Sequence, residues 1–232
     1  MSNTLQRILN SFAFSLLFSS ILISTAHVST AQAAEMDKAQ MLKTIEKRLQ
    51  DDAARQAAIE AGEDRAMFCK YCHGTDGNSL KPNVPNLAGQ NASYLLDQIN
   101  KFATRERDDY VMSPLAENFS PEDKINLAIF YFSKAVKKQT IDANLADKGK
   151  ALFTSVCSNC HGAQGHGNQK LARLAGQQTL YVTNVLKAFR TNANDPAAKA
   201  ESSRQSTAME IVAKGLTDEQ IDAVAAYVAQ LP

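Results

Sequence analysis

The chain has 232 residues, enough for one large domain or two small ones, with an aromatic content of 7% and no tryptophan. Its 25 Lys+Arg stand against 24 Asp+Glu with no long run of either sign, which argues against nucleic acid as a main partner.

Residues 1–33 read as an export signal. Arg7 is the only charge, residues 8–23 are an apolar stretch, and Ala31-Gln32-Ala33 offers a small-x-small site, so cleavage is expected after Ala33. The alternative is a retained membrane anchor, because residues 8–34 are uncharged and long enough to span a bilayer; the polar run at 24–32 disfavours it. Residues 34–60 carry helix formers, many charges and a stripe at Met41, Ile45 and Leu49 with Leu42 beside it. They are expected to form a helical extension that either packs on the unit that follows or docks on a partner protein.

All four cysteines then fall in two short stretches, Cys69-Lys70-Tyr71-Cys72-His73 and Cys157-Ser158-Asn159-Cys160-His161. Cys-x-x-Cys-His is the attachment signature of c-type haem: two thiols add to the porphyrin vinyl groups and the adjacent imidazole binds iron. A disulfide framework explains neither the equal offset nor the histidines. A zinc site of this kind usually has its halves much closer along the chain than Cys72 and Cys157. Two covalent haem c groups are therefore expected, held by Cys69, Cys72, Cys157 and Cys160, with His73 and His161 on iron.

The motifs divide the rest into units at 61–136 and 147–232, joined by a polar linker at 137–146. Each motif is followed by a glycine-bearing loop and the string Leu-Ala-Gly-Gln, at 87–90 and 174–177. Both strings lead into helical stretches, 94–102 and 181–189, matching at an offset of 87, which marks an internal duplication. Each unit closes with an amphipathic helix. In the first, Ser120 caps and Ile125, Ala128, Ile129 and Phe132 form the face; in the second, Thr217 with Gln220 makes a capping box and Ile221, Val224, Ala225 and Val228 form the face. No alternating run reads as a strand, so the fold class is all-α.

What fills the second axial position of each iron decides between electron transfer and reactive chemistry. After His73 the only methionine of the first unit is Met112, and after His161 the only one is Met209; they stand 97 residues apart, just upstream of the closing helices. These are the expected thioether ligands. Residues 191–207 are a polar insertion beside Met209, and His166 is the competing ligand there. A ligating imidazole normally donates its other N–H to a carbonyl. Pro85 is the candidate acceptor for His73, and the repeat aligns Ala172 with it for His161.

These residues resemble a known family, the dihaem cytochromes c of the cytochrome c4 type. The resemblance rests on the tandem Cys-x-x-Cys-His-Gly motifs, the paired Leu-Ala-Gly-Gln-x-x-x-Tyr segments ending at Tyr94 and Tyr181, and Met112-Ser113-Pro114-Leu115-Ala116-Glu117-Asn118. It implies two tandem class I cytochrome c domains, axial pairs His73/Met112 and His161/Met209, a periplasmic location and electron delivery towards a terminal oxidase. The second unit lacks the Met-Ser-Pro context around Met209, and the extension at 34–60 is foreign to the family. The expected function is a one-electron carrier in a respiratory chain, with a quinol-oxidising complex or a dehydrogenase as donor and no catalytic residues of its own. Two alternatives are a dihaem electron-transfer subunit of a larger dehydrogenase or oxidase assembly, attached through its N-terminal helix and membrane-associated only through that partner, and a dihaem peroxidase-like enzyme.

Overall fold

A computed structural model describes residues 36–139, 141, 143–195, 197 and 204–232. The expected export signal, the first two residues of the extension, residues 140 and 142 of the linker, and residues 196 and 198–203 of the insertion lie outside them. The regular structure of the described residues is helical with no strand, in keeping with the all-α class. None of these helices is long and apolar enough to cross a membrane.

The first unit contains α1 (Lys38–Gln50), α2 (Asp52–Arg65), α3 (Lys70–His73), α4 (Ala92–Ala103), α5 (Met112–Glu117) and α6 (Pro121–Phe132). Asp37 and Gln40 form a capping box on α1, and Asp51 both ends α1 and caps α2 by accepting from the Ala54 N–H. The extension expected over 34–60 is therefore broken into two helices, and the expected boundary at residue 60 falls inside α2. At Gly62, α2 crosses α6 so closely that a Cβ would stand 2.3 Å from the Asn126 carbonyl oxygen. Only a residue without a side chain permits that approach.

The additional element is α1. It lies against α2, α4 and α6, burying Met41 and Ile45, with Leu42 and Leu49 at the rim of the same cluster. Lys38 pairs with Asp97 on α4, and Arg48 reaches Asn126 and Glu122 on α6. Of the two expectations for this stretch, packing on its own haem unit is the one realised.

The second unit repeats the plan with α7 (Ala143–Leu152), a π-helical turn (Phe153–Cys157), α8 (Ser158–His161), α9 (Thr179–Asn194), α10 (Thr207–Ala213) and α11 (Asp218–Gln230). Gly149 of α7 meets α11 as Gly62 meets α6, its Cβ position 2.0 Å from the Ala223 carbonyl oxygen. Ser120 and Thr217 cap the closing helices as expected, each within a capping box. Ile125, Ala128 and Ile129 are buried, as are Ile221, Val224, Ala225 and Val228. Phe132 is not: it is 41% exposed, while Leu127, Phe130 and Tyr131 are buried instead. Helices α1, α2 and α4 all pack on α6, so it shields more of its circumference than one stripe.

The described residues cluster as one compact unit, and the repeated Leu-Ala-Gly-Gln strings explain how the halves join. Gln177 brackets a backbone segment of the first unit, its Oε1 accepting from the Asn86 N–H at 2.7 Å and its Nε2 donating to the Asn86 carbonyl at 2.9 Å. Gln90 does the same to the second unit, at 2.7 Å from the Arg173 N–H and 2.9 Å from the Arg173 carbonyl. Asn86 and Arg173 are themselves repeat mates at the offset of 87. The interface is thus a pseudo-twofold exchange of amide brackets, buried at Asn86, Gln90 and Gln177.

Candidate functional site

In each unit a one-turn helix carries the attachment motif. Cys69 stands at the N-cap of α3, its carbonyl accepting from the His73 N–H at 2.9 Å; Cys157 ends the π turn and opens α8. Gly74 and Gly162, with φ of 81° and 80°, turn the chain off these helices. At Gly74 a Cβ would stand 2.1 Å from the Asn78 carbonyl oxygen.

Both histidines are buried at 8% exposure. His73 Nδ1 lies 2.9 Å from the Pro85 carbonyl oxygen and His161 Nδ1 lies 2.9 Å from that of Ala172, the two acceptors the repeat pointed to. Donation there places the proton on Nδ1 and leaves the Nε2 lone pair free for a metal. Burial pushes both imidazoles below their ordinary range, outweighing the pull of the carbonyls, so both rings are neutral at pH 7.

No disulfide joins any of the four cysteines, which removes the disulfide alternative. Among the described residues, no three of His, Cys, Asp and Glu gather into a metal-holding cluster. Cys69 and Met112 pack against the core of the first unit, and Cys157 and Met209 against that of the second. The Met112 N–H donates to the Asp109 carboxylate at 2.8 Å in the turn that leads into α5, and the Met209 N–H to the Ser206 hydroxyl at 3.4 Å at the cap of α10. His166 faces elsewhere, its Nε2 2.8 Å from the Pro232 carbonyl oxygen.

Two pairs of residues that carried no role in the sequence meet between the units. Arg204 donates to the Tyr181 hydroxyl at 2.5 Å and to that of Tyr94, while Arg107 reaches Tyr181 at 3.4 Å. The tyrosines are mates at the offset of 87 and the arginines at 97, and each arginine precedes its methionine by five positions. Burial pushes the Tyr181 hydroxyl up, yet the charges of Arg204 and Arg107 together hold it below its ordinary value. The two offsets were legible in the sequence, but nothing there said that the pairs converge.

The donor set fits a covalently held haem in each unit: two cysteines in no disulfide at the attachment spacing, a neutral imidazole with one nitrogen committed, and a thioether against the same apolar cluster as the first cysteine. The family model described as cytochrome c matches residues 146–232. Cytochrome c4 of Pseudomonas aeruginosa is 34% identical over 191 residues, covering 77% of this chain and 90% of the relative. The crystal structure of reduced recombinant cytochrome c4 from Pseudomonas stutzeri superposes with a TM-score of 0.66 at 28% identity, over 75% of this chain and 98% of that one. A thiosulfate dehydrogenase electron acceptor of Stutzerimonas stutzeri is 29% identical over 182 residues, 72% of this chain and 80% of the relative. With two attachment motifs, a duplicated helical plan and this breadth of likeness, the chain belongs to the cytochrome c4 family of dihaem electron-transfer cytochromes c.

Proposed function

We propose that the protein is an exported, periplasmic one-electron carrier in a respiratory chain, with His73 and Met112 on one iron and His161 and Met209 on the other. The haem, when bound, supplies reversible one-electron chemistry. The chain's part is to close both axial faces, so that no reactant has a position on metal, and to hold that closed set rigid. One observation carries the reading. In both units a buried histidine has its Nδ1 committed to a carbonyl, while the first cysteine of the attachment motif and a partly buried methionine pack against one apolar cluster. On this reading the cytochrome part of the first unit starts with α2, with α1 added in front of it, the haem units run to residues 136 and 232, and residues 1–33 are removed on export.

The test is the thioether-to-iron charge-transfer band of the oxidised holoprotein, recorded for the wild type, Met112→Ala and Met209→Ala. Each substitution is expected to remove about half of the band. A wild type without the band would sink the closed-site reading and favour an enzyme of the peroxidase kind.

The terminal oxidase is the acceptor favoured here, with a quinol-oxidising complex as donor. A second reading is that this chain accepts electrons from a dedicated dehydrogenase, and the likeness to a thiosulfate dehydrogenase electron acceptor favours it. Copurification of a fixed dehydrogenase partner would decide for the second.

A further inference from the structure

The carbonyls that orient the two histidines belong to peptide groups whose other ends face the opposite unit. The Pro85 C=O and the Asn86 N–H are one planar, conjugated amide. Its oxygen accepts from His73 Nδ1 at 2.9 Å, and its N–H donates to Gln177 Oε1 at 2.7 Å. The same construction stands on the other side: the Ala172 oxygen takes His161 Nδ1 at 2.9 Å, and the Arg173 N–H of that amide donates to Gln90 Oε1 at 2.7 Å. Both glutamine oxygens also accept from the next backbone N–H, Asn91 at 3.0 Å and Gln178 at 2.9 Å, and both Nε2 groups are committed to the carbonyls of Arg173 and Asn86. The side chains are therefore fixed in orientation.

We infer that Gln177 and Gln90 are positioning residues that act across the interface, Gln177 on the iron ligand His73 and Gln90 on the iron ligand His161. Accepting a hydrogen bond from the N–H end of an amide polarises its carbonyl, and chains of such bonds strengthen one another. A more negative carbonyl oxygen takes more of the Nδ1 proton, and the imidazole becomes a better electron donor through Nε2. That favours the ferric state. Each iron's potential is thereby lowered by a side chain from the unit that does not contain it. The inference rests on the histidine and methionine ligation proposed above.

The test is a redox titration of the full holoprotein, with the two waves assigned by Met112→Ala and Met209→Ala. Gln177→Met keeps the volume and removes the acceptor. It is expected to favour the ferrous form of the first haem by about two- to tenfold, the scale of a modest cooperative strengthening of one hydrogen bond, with the second haem unmoved. Gln90→Met should do the reverse. Gln177→Glu, which keeps an acceptor oxygen, is expected to move the first haem in the opposite direction. A mere loosening of the interface would not change sign between Met and Glu. In the ferrous protein the His73 Nδ1–H proton resonance should shift in Gln177→Met, while that of His161 stays. If each glutamine substitution moves the haem of its own unit, or neither haem, the inference fails alone. If the methionine substitutions leave the charge-transfer band intact, the ligand reading fails with it.

Discussion

Asp218 shows how a single exposed carboxylate ties two elements of the second unit. On the first turn of α11 it accepts from Arg190 at 2.5 Å and from Lys187 at 3.0 Å, both on α9. The Arg190 hydrogen bond, with that of Lys187, holds its carboxyl below the ordinary value of 3.8. A folded value lower than the unfolded one gives stabilisation that is present above 3.8 and is lost as the pH falls through the folded value. Asp218→Asn should therefore melt below the wild type at pH 7, with the gap closing under acid. Parallel melting curves with a gap constant across that range would refute the assignment. The histidines make a second point at this scale. Pro85 and Ala172 present their carbonyls at the same 2.9 Å, so the loss of the proline in the second unit does not alter the bond itself.

Among the elements, the pairs α2/α6 and α7/α11 frame the two units, and their closeness depends on one glycine each. Replacing Gly62 or Gly149 by alanine drives a methyl group into a backbone carbonyl, at 2.3 Å and 2.0 Å respectively. The helices must separate, at a cost of about 1–3 kcal/mol. Gly215, with no atom within 4 Å of its Cβ position, is the control, and its substitution should leave the melting temperature close to that of the wild type. Thermal unfolding of the three holoproteins decides it; equal melting temperatures for all would show that the crossings are slack. The two glycines stand 87 residues apart, so the repeat already pairs them, but a glycine within a helix pattern does not announce which neighbour approaches it.

For the whole molecule, the question is whether the halves unfold together. The glutamine brackets and the Tyr94, Arg107, Tyr181 and Arg204 group are polar contacts between units, and Tyr181 accepts from both arginines. Tyr181→Phe removes that acceptor from two partly buried guanidiniums, and losing a hydrogen bond to a charged group costs about 1.5–3 kcal/mol. Calorimetry of the variant is expected to show the wild-type transition resolving into two, one per haem unit. A single transition at an unchanged temperature would mean that the interface draws its strength from elsewhere.

How much of this could be read in the chain alone follows from which interactions are local. The attachment motifs, the capping residues at Ser120 and Thr217 and the acceptor carbonyls of Pro85 and Ala172 each sit close along the chain to what they serve. The duplicated sequence repeats the spacing from histidine to acceptor carbonyl to within one residue, so the helical class, the two haem sites and the carbonyl partners of their histidines were set by the sequence itself. Phe132 and the helix break at Asp51 escaped it, because burial around α6 depends on three neighbours and the end of α1 on a cap shared with α2. Only the tertiary structure decided that the Leu-Ala-Gly-Gln strings bind each other's unit. Gln177 and Asn86 are 91 residues apart, and a hydrogen bond between them exists only once both units have folded and met.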